Sequence, residues 1–179
     1  MWLSRRVVLV AGAAAAASAS AALLSGCGFQ LRQPPRVAFS SIALTGFAPR
    51  SPLHGELKRQ LQQQVQVLDA PDRAQLVLLV LDDVRERSVV ASTAAAQVRE
   101  LQLRLRFHFR VRNAAGRELI PRAELQVSRD LSYSETAALA KEAEEAELYR
   151  EMQSDIAAQV MRRLATLTVT QTLTHTVRQ

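Results

Sequence analysis

The chain has few of the residues on which catalysis, metal binding or disulfide formation depend. Its 179 residues include one cysteine and three histidines. Neither a P-loop, a Gly-x-Ser-x-Gly turn nor a glycine-rich dinucleotide turn occurs. The histidines, His54, His108 and His175, do not have the spacing of metal ligands. The sequence therefore predicts a protein that is not an enzyme and that uses neither a metal nor a dissociable cofactor.

An apolar N-terminal segment precedes the only cysteine. Arg5 and Arg6 are followed by an Ala-rich apolar run over residues 7–24 and then by the small pair Ser25-Gly26. Positive charge, apolar core and small residues are the three parts of a secretory signal peptide. We predict a signal peptide over residues 1–26, exported by the general or the twin-arginine route. The alternative is an anchor helix that is retained.

The segment Leu24-Ser25-Gly26-Cys27 resembles a bacterial lipobox. The resemblance implies a diacylglycerol thioether and an N-acyl chain such as palmitate on Cys27, which together give stable membrane attachment. Residues 27–35 would then be a tether. The same resemblance to Gram-negative lipoproteins implies the cell outer membrane, because Gly28 stands where an Asp would favour the inner membrane, and it places the domain on the periplasmic side. In that compartment a nucleic-acid partner is improbable for this basic chain, whereas lipid phosphates and lipopolysaccharide are accessible.

The mature chain predicts one domain over residues 36–166, built from strands and two helices. A strand is expected over residues 37–44. Ser51-Pro52 is typical of a helix start, and the helix repeats apolar residues at every fourth position. A buried strand is expected over residues 74–81, continuing to 90, followed by a mobile connection over residues 91–96. The apolar positions of the first helix are Leu53, Leu57, Leu61 and Val65.

Residues 101–112 alternate strictly between apolar and polar side chains, which predicts a strand with one buried and one wet face. Residues 117–133 predict its hairpin partner, with Pro121 indicating an edge or a bulge. A turn centred on Ala115 pairs Leu105 with Leu125. The same register sets Arg112 against Glu118 and Arg106 against Glu124. It leaves Arg104 and Arg110 without an acid on the partner strand.

A long helix is predicted over residues 135–164. Its glutamates at 142, 144, 145 and 147 indicate a solvated face and not a catalytic group. The tail, residues 167–179, is expected to form an edge strand or to be disordered. The predicted fold is α+β, with two helices on one face of a four-stranded mixed or antiparallel sheet. The core positions of this helix are Leu148, Met152, Ile156, Val160 and Leu164.

Three segments together resemble the LptE family of lipopolysaccharide-assembly lipoproteins. They are Cys27-Gly28-Phe29-Gln30-Leu31-Arg32, the Ala138-Leu139-Ala140-Lys141 segment, and the pattern of the last helix at residues 148–152 and 159–164. The resemblance implies a non-enzymatic lipoprotein that plugs and stabilises the outer-membrane β-barrel LptD. It also implies a role in delivering lipopolysaccharide to the outer leaflet.

The resemblance and the charge pattern together nominate three binding residues. Lys141 matches a basic family position that binds lipopolysaccharide in some members; its alternative role is a helix-surface pair with Glu145. Arg104 and Arg110 are predicted to meet anionic groups of the barrel or of lipid A, unless they only face solvent. The loop over residues 90–97 departs from the family because it contains no Lys or Arg.

Other envelope lipoproteins would share the lipid anchor. A secretin pilotin and an envelope scaffold are the alternative functions that the sequence leaves open. A lipid-carrying transport protein would need a large apolar cavity, which a sheet with one wet face does not suggest.

Overall fold

The computed structural model describes residues 35–167, and the predictions for the signal peptide, Cys27, its tether and the tail from 168 lie outside them. The elements in chain order are β1 (Ser41–Thr45), α1 (Pro52–Gln62), β2 (Gln66–Leu68), β3 (Leu76–Ser92), β4 (Val98–Asn113), β5 (Glu118–Ser132) and α2 (Ala138–Ala165). Short 3-10 turns, Pro71–Arg73 and Glu135–Ala137, precede β3 and α2.

The strands form one mixed sheet in the order β2-β1-β3-β4-β5. β1 is parallel to β2 and β3, and the β3-β4-β5 portion is antiparallel. The predicted α+β class and the two helices on a mixed sheet are confirmed. The strand number was wrong by one, because β2 has only three residues and no alternation long enough to identify it.

The two helices cover one face of the sheet and enclose the main core. Odd-numbered residues of β4 from Leu101 to Val111 are fully buried against the apolar residues of α1 and α2. Phe107 lies between Phe47 and Phe109, with ring centroids 6.0 and 5.4 Å away. The start of α1 follows the prediction, since the Ser51 hydroxyl accepts a hydrogen bond from the His54 backbone N–H at 3.3 Å and Pro52 is the first helical residue.

The register of the β4-β5 hairpin differs from the prediction over most of its length. Arg112 lies opposite Glu118 as expected, but Leu105 lies opposite Val127 and Arg106 lies opposite Gln126. Two irregularities near Pro121 each insert an extra residue into β5. Their sum is two residues, so the side chains beyond both irregularities keep their predicted faces while their partners change. Ile120, between the two, lies opposite Val111 and packs on the core instead of facing Arg110.

β3 is much longer than β1, and this mismatch creates a free edge. β1 pairs only with Leu76–Leu79, so the remainder of β3 pairs with β4 alone. The β3-β4 ladder extends through Ser92 to Val98, and a tight connection over residues 93–97 replaces the longer mobile loop that the sequence suggested. The second half of β3 therefore presents one set of side chains toward α2 and the other set on the opposite face, beside the side chains of β4.

Candidate binding surfaces

The three predicted binding residues lie in separate places. Arg104 and Arg110 are six residues apart on β4, a separation of about 20 Å along an extended strand. Their side chains occupy the sheet face opposite the helices, the open face. Lys141 is at the beginning of α2, on the helix side of the sheet. The structure therefore forms no single site from these residues.

Lys141 is held by two neighbours. Its Nζ donates to Glu144 Oε2 at 2.8 Å and to the Ser132 hydroxyl at 3.1 Å, and its side chain is only 19% exposed. The predicted alternative pairing with Glu145 was wrong. Glu145 instead lies 3.5 Å from Arg87, measured from Oε2 to Nη1. Lys141 keeps its positive charge near the surface, but part of it is already balanced by Glu144.

Arg104 pairs with an acid on β3, although the predicted hairpin register offered it no acid on β5. Glu86 lies directly opposite Arg104, and its Oε2 is 3.5 Å from Arg104 Nη1. Its other carboxylate oxygen accepts a hydrogen bond from Arg106. One carboxylate thus serves two guanidinium groups. Arg104 also donates to Gln102 Oε1 at 2.8 Å.

His108 continues this row of charged residues on the open face. Its Nδ1 is 3.6 Å from Asp82 Oδ2, and its Nε2 is 3.4 Å from Glu124 Oε2. The side chain is 12% exposed, so it is more enclosed than a surface histidine. Groups of three or more His, Cys, Asp or Glu that could hold a metal ion are absent from residues 35–167. Through its contacts with Asp82 and Glu124, His108 belongs to a polar ladder that joins β3, β4 and β5.

Arg110 is exposed and makes no ion pair with any carboxylate of the described chain. Its lack of a cross-strand acid follows from its position beside the Pro121 irregularity and opposite Leu79 on β3. Of the two arginines selected from the sequence, only Arg110 has its charge available for a partner.

A groove between β3 and α2 contains two arginines that sequence reasoning missed. Its volume is about 420 Å³, and Arg85 and Arg87 line it together with Glu145 and Tyr149. The Arg85 guanidinium lies 5.0 Å from the centre of the Tyr149 ring, and the Tyr149 hydroxyl donates to the carbonyl of Glu86 at 2.9 Å. Burial raises the pKa of the Tyr149 phenol, and the nearby Glu145 charge adds to that shift. The sequence feature that could have identified these two arginines was their alternation with Val84 and Glu86, which places Arg85 and Arg87 on the same face of β3.

Exposed apolar side chains gather at the end of the molecule where α2 begins. Leu139 is 84% exposed, and Val89 and Val90 are exposed near the β3-β4 connection. Residues 88–98 carry no charge. Because Lys141 and Arg87 border this end, cations adjoin an apolar surface, as an anionic amphiphile would require. We call this group the tip: Arg87, Val89, Val90, Leu139 and Lys141.

None of the helices between residues 35 and 167 has both the length and the apolar character needed to cross a bilayer.

Comparison with known proteins decides the class. The model of the family described as "LptE: Lipopolysaccharide-assembly" matches residues 39–164, which is nearly the whole folded domain. This chain belongs to the LptE family. Family membership makes it a lipopolysaccharide-assembly lipoprotein of the cell envelope, in a family that is non-enzymatic. The predicted resemblance is confirmed, and the match favours this class over a secretin pilotin or an envelope scaffold.

Solved structures agree with the fold. The solution NMR structure of an uncharacterized lipoprotein B from Nitrosomonas europaea is 26% identical, covers 83% of this chain and 97% of its own, and superimposes with a TM-score of 0.68. The rare lipoprotein B from Shewanella oneidensis is 24% identical, covers 71% of this chain and 95% of its own, and has a TM-score of 0.61. A minor lipoprotein from Acinetobacter baumannii is 23% identical, with 72% and 92% coverage and a TM-score of 0.60. The search of curated proteins gives no match.

Proposed function

We propose that this LptE-family protein is anchored in the outer membrane through acylated Cys27, sits inside the LptD β-barrel and stabilises it during assembly. It acts without catalysis, and its tip contacts lipopolysaccharide on the way to the outer leaflet. The observation that carries the proposal is the family match over residues 39–164, which spans β1 to α2.

The open face of the sheet supports enclosure in a barrel. Its central ladder is polar but largely self-neutralised, because Glu86 pairs with Arg104 and Arg106 while His108 lies between two carboxylates. The interior of an outer-membrane barrel is polar. A polar face with internal ion pairs can enter such a lumen with little uncompensated charge, whereas an apolar face could not. Arg110 then remains as the cation available to the barrel wall.

Affinity purification from detergent-solubilised outer membranes tests the barrel partnership. We expect a large β-barrel to be recovered in about equal amount with the wild-type lipoprotein, and less of it with Arg110→Glu. Arg150→Glu is the matched control, because Arg150 is an exposed arginine on α2 whose partner is Glu147 three residues away. Absence of a barrel, or recovery of a secretin in its place, would contradict the proposal.

The lipopolysaccharide contact has its own test. We expect Lys141→Ala to weaken binding in a titration with purified lipopolysaccharide by about tenfold, since a charged hydrogen bond contributes about 1.5–3 kcal/mol. Arg150→Ala, which also removes a cation from an i,i+3 pair on α2, should leave the titration unchanged. Equal curves for wild type and Lys141→Ala would remove Lys141 from the binding surface.

Acylation of Cys27 is tested separately by mass spectrometry of the N-terminal fragment of the protein isolated from membranes. The expected mass includes a diacylglycerol and one further acyl chain. A Cys27→Ala chain should remain unprocessed and lack these groups. An unmodified Cys27 in the wild-type protein would contradict the anchor while leaving the family assignment intact.

A further inference from the structure

The described chain begins at the same end of the sheet as the β4-β5 turn. The Ser40 N–H donates to Gln75 Oε1 at 2.8 Å, and the Ala114 N–H donates to the Gln75 carbonyl at 3.1 Å. Gln64 binds the preceding residues, because its side-chain amide donates to the Pro35 carbonyl at 3.1 Å and its Oε1 accepts from the Val37 N–H at 3.2 Å. The first described residues are therefore fastened to this end.

This end is basic. We define the anchor-side end as residues 35–40, 69–75 and 110–122, which contain six arginines and three acids, an excess of three positive charges. Arg36, Arg73 and Arg112 are exposed, and none of them forms an ion pair within residues 35–167, although Arg112 lies opposite Glu118 in the strand register. One of the three acids, Asp69, is 3.8 Å from Lys58 and so is partly neutralised. The six arginines are Arg36, Arg73, Arg110, Arg112, Arg117 and Arg122.

The opposite end has no excess of positive charge. The β3-β4 connection over residues 88–98 is uncharged, and the wider segments 87–100 and 129–142 contain four basic residues and four acids. The charge is thus distributed unevenly along the strand direction, and the basic end is the one where the chain enters the domain. A basic surface distributed evenly over the molecule would not distinguish the two ends.

The chain outside the described residues limits how far this end can be from a bilayer. Seven residues lie between Cys27 and Pro35, so their Cα atoms are eight residue steps apart. At full extension these steps span at most about 29 Å. Acyl chains on Cys27 would therefore hold the anchor-side end close to the leaflet in which they are inserted, and the tether is long enough for the arginines to touch it.

We propose that the anchor-side end is a docking surface for anionic phospholipid headgroups, with Arg36, Arg73 and Arg112 as its principal contacts. This inference rests on the proposed acylation of Cys27 for its orientation. Guanidinium groups bind phosphate through paired hydrogen bonds. Attraction to an anionic membrane decays within a Debye length, about 8 Å at physiological salt, so only cations at the tethered end contribute. The docked domain presents its tip away from that leaflet.

The binding test uses the full mature chain with Cys27→Ala, so that acyl chains do not mask the contribution of charge. Cosedimentation is measured with vesicles of phosphatidylglycerol and phosphatidylethanolamine and with vesicles of phosphatidylcholine alone. We expect binding to the anionic vesicles only, with weakening as salt increases. Because each basic residue near such a surface contributes about fivefold, the triple variant Arg36→Gln, Arg73→Gln and Arg112→Gln should bind about a hundredfold more weakly.

The control variant carries Arg85→Gln, Arg99→Gln and Arg150→Gln, which remove the same charge from exposed positions elsewhere. We expect it to retain most of the binding. Equal losses in the two triple variants would show that only net charge matters and would overturn the proposal. Equal binding of the wild type to anionic and neutral vesicles would overturn it as well.

Orientation is measured independently with a fluorophore on a single cysteine. The Cys27→Ala chain has no other cysteine, so Ala114→Cys labels the anchor-side end and Ala95→Cys labels the β3-β4 connection. A quencher on the lipid headgroups should quench the label at 114 and not the label at 95. The reverse pattern, or equal quenching, would refute the docking geometry. This outcome does not depend on whether Cys27 is acylated in cells, which the mass measurement decides.

Discussion

Odd-numbered and even-numbered residues of β4 meet different surroundings on opposite faces of the sheet. The odd-numbered residues, from Leu101 to Val111, are enclosed by helices and contribute area removed from water. Most of the even-numbered ones, from Gln102 to Arg112, lie beside charged or polar residues of β3 and β5, whereas Arg110 has no acid opposite it on either strand, and this side remains partly accessible. On the helix side, stability depends on the volume and shape of the buried side chains. On the open side, it depends on which charge lies opposite each residue. The comparison teaches that one strand can stabilise the fold on one face and remain available for binding on the other.

The largest effect on stability is expected from removing a large side chain from the core on the helix side of the sheet. Phe107→Ala removes a fully buried ring between Phe47 and Phe109, and we expect the free energy of unfolding to fall by about 3–5 kcal/mol. Chemical denaturation followed by circular dichroism measures the change. A loss of about 0.5 kcal/mol, typical of a surface substitution, would contradict the assignment of Phe107 to the core.

An intermediate effect is expected from Glu86→Gln on the open side. The change removes one carboxylate from two guanidinium groups, and we expect a loss of about 1–2 kcal/mol, since the 35% exposed Glu86 side chain is partly screened by solvent. Stability is measured by denaturation at low and high salt, and the difference from wild type should shrink as salt is added. Arg104→Gln is the comparison variant and should cost less, because Glu86 retains Arg106. If Arg104→Gln cost as much as Glu86→Gln, the shared carboxylate would not be the central group.

The smallest effect on stability is expected at Arg110. Arg110→Gln should change the free energy of unfolding by no more than about 0.5 kcal/mol, because this exposed guanidinium has no carboxylate partner in residues 35–167. The same denaturation experiment checks it. A cost above about 1 kcal/mol would mean that Arg110 is structural, and it would then lose its place as the cation available to a barrel.

Several local features were predictable from the sequence. The alternation over residues 101–112 identified β4 and assigned each side chain to its face, and Ser51-Pro52 identified the start of α1. Pro121 was expected at an edge or a bulge, and it lies beside an irregularity in β5, the last strand of the sheet. These features follow from backbone geometry and capping within a few residues.

Pairing between strands was less predictable. The hairpin register failed because each of two bulges displaces the pairing by one residue, and alternation cannot detect a displacement that totals two. Glu86 was missed as the partner of Arg104 because only the adjacent hairpin strand was considered, whereas β4 also pairs with β3. The groove with Arg85 and Arg87 depends on how far β3 extends beyond β1 and on where α2 crosses it.

Taken by itself, the sequence determined the side-chain faces, the α+β class and the resemblance to the LptE family, since these depend on local periodicity and short motifs. The tertiary structure alone decided which charges meet. It joined Glu86 to Arg104 and Arg106, left Arg110 exposed, and placed Arg36, Arg73 and Arg112 at the end where the chain enters the domain. The reason is physical: the direction of a side chain is set by its own backbone, whereas its partner is set by strand order, bulges and chain reversals that bring distant residues together.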